Sequence, residues 1–152
     1  MAWTTPATAS AGSTALTAAF WNEQVRDNLS ELAPFFAAWT SYTPTITAAS
    51  GTPTTVSATG RYLKIGRLVL FSTQVTVTTV GTAAGNMQVA LPFTADVSVC
   101  RDLGSSANSS GVAGSAFTSV DGINLLLQEY DGTTWWSGGA IVRASVSYLA
   151  RS

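Results

Sequence analysis

Beyond Tyr42, polar and apolar positions alternate with a period of two, and before Pro34 they do not. The clearest run is Leu68 to Val80. Val69, Phe71, Val75 and Val77 share one parity, interrupted by Thr73, while Ser72, Gln74, Thr76 and Thr78 occupy the other. Side chains on a strand point alternately to its two faces, so this run predicts a half-buried antiparallel strand. Met87, Val89 and Leu91 extend the inward set as far as Pro92, and Val142, Ala144, Val146 and Tyr148 form a second single-faced series. Ser115 to Val120 and Ile123 to Tyr130 flank Asp121-Gly122, a strong hairpin signal, and Asp131-Gly132 marks the next turn. Thr45 to Thr47 and Thr55 to Ser57 read as short strands around a turn at Gly51-Thr52-Pro53. Arg61 to Ile65 reads as another, leading through Gly66 into the long run, and Val97-Ser98-Val99 as a short edge strand. Leu103 to Gly114 is the least structured stretch and reads equally as a long surface loop or a Ser/Gly-rich strand. About seven to nine strands joined by turns predict a mainly β fold, an antiparallel β-sandwich or jelly-roll-like domain over 40–152.

The N-terminal part follows a different period. Within 16–34, Trp21, Val25, Leu29 and Leu32 recur at helical spacing, which predicts one short amphipathic α-helix with these four on a single stripe. Thr17 is placed to cap it, Leu16 to pack on Trp21 as a staple, and Pro34 to end it. Glu23, Arg26, Asp27, Ser30 and Glu31 form its solvated side. A helix this short is marginal alone, so its apolar stripe needs a cover. Residues 1–15 are small and polar around a lone Trp3 and cannot build a core, which suits an extended anchoring arm with Trp3 as its large contact. Phe35, Phe36, Trp39 and Tyr42 then suggest a packed joint into the β-domain.

Composition narrows the functional classes. Of 152 residues only 10% are charged, against roughly 25% in ordinary globular domains. Thr, Ser, Ala and Gly fill the difference at a net charge of −1, a composition suited to a β-domain that buries surface against copies of itself or a larger assembly. No apolar run approaches the roughly 18 residues of a membrane helix. The N-terminus lacks the pattern of a signal peptide. The seven basic residues are scattered, with only Arg61, Lys64 and Arg67 close in sequence, so nucleic acid is not an expected partner. The single Cys100 excludes an intramolecular disulfide.

No histidine is present, which removes Ser–His–Asp and Cys–His chemistry from a single chain. Glu23, Asp27 and Glu31 belong to the helix side, and Asp121 and Asp131 precede glycines at turns. The remaining Asp96, Asp102 and Glu129 are too dispersed for a paired-carboxylate or metal site. The sequence predicts no enzyme, no cofactor and no metal. One motif retains binding potential: Trp135-Trp136, ahead of Ser137-Gly138-Gly139. Adjacent residues in extended chain face opposite ways, so one ring enters the core and the other is offered to a sugar or a subunit. The bland alternative is that both rings cap the end of the sandwich.

The N-terminal residues resemble a known pattern. Trp3-Thr4-Thr5-Pro6, Leu16-Thr17-Ala18, Asn22 and Val25-Arg26-Asp27-Asn28-Leu29 are similar to the opening of small virion proteins of tailed phages infecting actinobacteria. Trp39 to Thr47 and Gly60 to Val69 are similar to β-domains of their capsid decoration, head fibre and minor tail proteins; the similarity fades after Pro92-Phe93. The resemblance implies attachment to the virion through Trp3, Thr4, Thr5 and Pro6, and a homo-oligomer, commonly a trimer, with Trp21, Val25, Leu29 and Leu32 between subunits. It implies no catalytic residue. The expectation is a capsid decoration protein on the phage major capsid protein. The alternative is a minor tail or fibre-tip protein that binds host cell-surface glycan, with Trp135 or Trp136 as platform.

Overall fold

The computed structural model describes residues 22–30, 38–98 and 103–151. The chain divides into two compact units, Met1–Ala38 and Trp39–Ser152. In the first, Asn22–Asp27 winds as a π-helix and Asn28–Ser30 as a turn of α-helix, so the expected α-helix is wider over Asn22–Asp27. The Ser30 hydroxyl donates to the Arg26 carbonyl at 2.9 Å, and Arg26 pairs with Asp27 at 3.0 Å. Along the expected stripe Val25 is half-buried and Leu29 is 59% exposed, whereas the neighbouring Asn28 is only 6% exposed. The i→i+5 winding takes these residues out of the α-helical register that the i, i+4 spacing assumes. Trp21, Leu32, the cap at Thr17, the stop at Pro34 and the arm with Trp3, Thr4, Thr5 and Pro6 lie outside the described residues.

The second unit is mainly β. Its strands are β1 (Thr40–Tyr42), β2 (Ile46–Ser50), β3 (Thr55–Ile65), β4 (Leu68–Thr79) and β5 (Ala84–Ala90). They continue as β6 (Leu103–Asn108), β7 (Ala113–Thr118), β8 (Asn124–Glu129) and β9 (Ile141–Leu149). All nine join in one antiparallel sheet of order β1-β3-β4-β9-β6-β7-β8-β5-β2. The sheet curls into a half-barrel around one core, so the expected sandwich arises by one sheet folding over on itself. Tyr42 on edge strand β1 shows the curl: its hydroxyl donates to the Leu91 carbonyl beyond β5 at 3.3 Å.

Alternation places the core. Val69, Phe71, Val75 and Val77 of β4 point inward with Met87 and Val89, Leu125 and Leu127, and Val142, Val146 and Tyr148, all buried. Thr73, the polar residue in the inward series, is buried because its hydroxyl donates to the Thr59 carbonyl at 3.1 Å, which meets the cost of burying it. Tyr42 packs edge-on against Tyr62 and Phe71, which makes that half of the expected joint a core element. Ile65 and Leu68 pair directly, and Gly66 takes a positive φ of 58° in the two-residue turn between β3 and β4. That is the geometry of a type II′ hairpin, where glycine is favoured at the first turn position.

Three local expectations change. Thr45–Thr47 and Thr55–Ser57 do not pair around their turn: β2 joins β5 at one edge of the sheet, and β3 joins β4 and β1 near the other. The segment between them is held instead by the β4–β5 turn, where Thr82 N donates to Thr52 O at 3.1 Å and Thr52 N to Thr82 Oγ1 at 3.0 Å. Thr55–Ser57 and Arg61–Ile65 are one strand, β3, because Gly60 continues the ladder opposite Thr73. Between Pro92 and Ser98 the described chain makes one bridge, Ala95 to Ala150, where an edge strand was expected over Val97-Ser98-Val99; Val99 lies outside the described residues. Leu103–Gly114 resolves into strand β6, a turn and the start of β7.

Candidate binding surface

The described carboxylates of the β unit are engaged in turns. Asp121 accepts from the Ser119 hydroxyl and from the Ile123 amide (3.1 Å), and these bonds hold its carboxyl below the usual aspartate range. Asp131 accepts from the Thr133 hydroxyl at 2.7 Å and its amide at 2.9 Å, with the same downward effect. Asp96 is lowered first by the Ser98 hydroxyl at 2.6 Å and then by the Ser98 amide and Arg67, whose guanidinium lies 2.5 Å away. The expectation that Asp121 and Asp131 serve their turns matches this geometry. Among the described residues no three of His, Cys, Asp and Glu gather in a cluster fit for a metal ion. Asp102 and Cys100 lie outside the described residues.

Trp135 and Trp136 separate as extended chain requires. Trp135 is 1% exposed and belongs to the core. A Cβ on Gly114 would stand 2.5 Å from Trp135 Cζ2, so the indole fills room that only a glycine on β7 leaves open. The Trp135 Nε1–H is buried and has no acceptor among the described residues. Trp135 therefore has no face to offer a ligand, which corrects its candidacy as a platform. Trp136 is half-buried, and its Nε1 donates to the Gly85 carbonyl at 3.0 Å. That bond ties the segment before β9 to the start of β5 and leaves only part of the ring accessible.

The outer face of the sheet is where side chains converge without filling space. The strand registers set Ser41, Arg61, Ser72, Ser145, Ser105, Ser115 and Gln128 in one row across seven strands, β1-β3-β4-β9-β6-β7-β8. Alternation turns all seven outward. On one side of this row lie Thr59, Gln74 and Arg143. On the other lies an apolar ridge that includes Leu70 and Leu103, the latter 76% exposed. Small hydroxyl side chains between taller neighbours leave three adjoining depressions of about 380, 380 and 430 Å³, and Ser72 lines all three.

Two cations belong to this surface, Arg61 in the row on β3 and Arg143 beside the row on β9. Arg61 lies over the Trp39 ring, 5.1 Å from its centroid, and Trp39 remains 42% exposed. Arg143 Nε donates to Gln74 Oε1 at 2.9 Å. Both guanidiniums are thus oriented by neutral partners, and neither has a carboxylate partner among the described residues. Arg26 and Arg67, by contrast, are paired with Asp27 and Asp96. Arg61 and Arg143 line a common depression with Ser41, Thr59, Ser72 and Gln74, and no described carboxylate lines it. Closeness in sequence pointed elsewhere, to Arg61, Lys64 and Arg67. Strand parity separates Lys64 from Arg61, and Lys64 Nζ instead lies 4.3 Å from the Phe93 ring centroid. The only sequence signal for the Arg61–Arg143 pairing is the outward parity of both residues; their meeting depends on β4 lying between β3 and β9.

No family model matches the chain, and no curated protein matches it. Among solved structures, the receptor binding protein (gp15) of Listeria phage PSA is similar at 21% identity over 90% of this chain and 81% of that one. The TM-score of 0.44 is a level of likeness at which neither the architecture nor the function carries across.

Proposed function

We propose that the chain is a non-enzymatic structural protein of a tailed-phage virion, carried at the tail or fibre, that attaches through its N-terminal segment and displays its β-domain toward host-surface glycan. The N-terminal resemblance supports the virion assignment. The observation that carries the tail-side choice is the outer face of the β-domain. A protein that only decorates a capsid needs nothing from its displayed face. Here that face holds a depression lined by Arg61, Arg143, Gln74 and serine hydroxyls, beside an exposed Trp39. Polar groups converging in a concave surface beside an aromatic ring are the usual ingredients of a ligand site. A homotrimer belongs to the same reading: Leu68 and Leu149 are exposed apolar side chains of the kind a neighbouring copy covers.

Virions carrying a deletion of residues 2–12 test the attachment. They are expected to lack the protein, while the truncated chain still folds. Full occupancy of the truncated protein on virions would sink the arm. Labelled images of intact virions test the place: signal at the tail supports this reading, and signal over the head returns the protein to capsid decoration. Pull-down on actinobacterial cell walls tests the glycan function, with binding by the parent protein expected.

A further inference from the structure

We infer that the depression between Arg61 and Arg143 is a binding site for an acidic, hydroxyl-rich glycan chain, which continues from there across the strands along the serine row. The inference rests on the host-glycan reading and names both the ligand class and the place, neither of which is the Trp135-Trp136 pair first expected.

Charge sets the ligand class. Arg61 and Arg143 are exposed cations on the same outer face, and the depression they line contains no described carboxylate. Arg26 and Arg67, by contrast, are neutralised by Asp27 and Asp96 of their own chain. A guanidinium offers a planar fork of donors that matches a carboxylate or a phosphodiester. Orienting the fork in advance with a neutral partner lowers the ordering cost of binding without spending its charge. Gln74 does this for Arg143, and the Trp39 ring does it for Arg61.

The hydroxyl-rich character follows from the rest of the lining. Ser41, Thr59, Ser72 and Gln74 each donate and accept, as a polyol requires. The exposed Trp39 supplies an apolar ring beside Arg61. From Ser72 the row continues through Ser145 and Ser105 to Ser115, three strand spacings, or about 14 Å at roughly 4.8 Å each. That length admits a short run of sugar residues lying across the strands. Ser72 lines all three depressions, so the depression between the arginines and the serine row form one continuous surface.

Calorimetric titration of the full chain with three polymers tests this: polygalacturonate, poly(glycerol phosphate) and neutral dextran. At least one acidic polymer is expected to bind while dextran does not, with affinity falling as salt rises. Preference between the acidic polymers tells carboxylate from phosphodiester recognition. Arg61→Gln and Arg143→Gln are each expected to weaken binding about tenfold or more, and the double variant to abolish it. Arg151→Gln, in the β unit beside Asp96 and Asp121, is the charge control and is expected to bind as the parent does. Equal binding by parent and double variant would overturn the site, as would equally tight binding of a single-stranded oligonucleotide. A change of molar mass by light scattering in the double variant would also overturn it, by showing the depression to be a contact between copies. If cell walls still capture the double variant as well as the parent, the glycan reading stands and this site falls. If the acidic polymers bind in an arginine-dependent manner but cell walls capture no protein, the site stands and the host reading falls.

Discussion

Strands β6 and β7 are small on both faces, and the two faces use that smallness for different ends. Inward, Gly114 leaves the room that the Trp135 indole occupies, with Ser106 and Ala116 buried beside it on the same face. Outward, Ser105, Ala107 and Ala113 leave room that stays open as a depression. The inner vacancy is closed by a side chain from the loop before β9 and becomes core. The outer one is filled by no side chain of the described residues and stays an open depression. Small residues in a strand therefore leave room in either case, and the face decides whether the chain itself fills it.

The comparison is broken most severely at Gly114. Gly114→Val would drive its side chain into Trp135 and the Gln128 carbonyl, so loss of cooperative unfolding is expected in urea titrations monitored by near-UV circular dichroism. Trp135→Ala empties the same place and is expected to cost about 3–5 kcal/mol in the same titration. A Gly114→Val protein as stable as the parent would mean the indole does not pack there. Trp136→Phe keeps a ring but removes the bond to the Gly85 carbonyl, for an expected loss of about 1 kcal/mol. A loss from Trp136→Phe equal to that from Trp135→Ala would erase the distinction between the two tryptophans. Ser105→Val, on the outer face, is expected to change stability by no more than about 0.5 kcal/mol. A loss of several kcal/mol there would show that the outer face is packed after all.

Much of the fold was legible because contrast between faces writes itself into sequence. The valines of β4 and the inward residues of β9 alternate against Ser, Thr and Arg, and those strands lie where the alternation placed them. Asp121-Gly122 and Asp131-Gly132 announced their turns through local chemistry. Where both faces are small the contrast vanishes, and β6 could not be told from a loop. Pairing of β2 with β5 was illegible for another reason: the turn at 51–54 looks local, but its hydrogen bonds join Thr52 to Thr82 and Thr54 to Thr79 at the β4–β5 turn. The candidate site was the least legible of all. Arg61 and Arg143 become neighbours only through two successive strand registers, so no motif spacing holds them. Trp135-Trp136 drew the eye because two large rings stand side by side in sequence, and the parity rule that separated them correctly could not say which one was buried.

The smallest effect expected comes from the turns, where Asp121 and Asp131 are exposed and Asp96 is half-buried. Asp96, Asp121 and Asp131 have folded pKa values lowered chiefly by hydroxyl groups, those of Ser98, Ser119 and Thr133. In the unfolded chain each returns toward about 3.9. A carboxylate more acidic when folded stabilises the fold at pH values above the unfolded pKa, and that stability is lost as pH falls through the folded value. Tm is therefore expected to be level from neutrality to about pH 5 and to decline below about pH 4. Asp121→Asn with Asp131→Asn keeps an acceptor in each turn but removes the charge, and is expected to flatten that decline while lowering Tm slightly at neutral pH. An unchanged acid slope in the double variant would mean that these turns do not govern it. The serine and arginine variants of the outer face should leave the acid limb where it is, since neither hydroxyls nor guanidiniums titrate in that range. An acid slope that moved with Arg61→Gln would instead place an undescribed carboxylate beside that depression, and would weaken the case that it is reserved for an anion from outside.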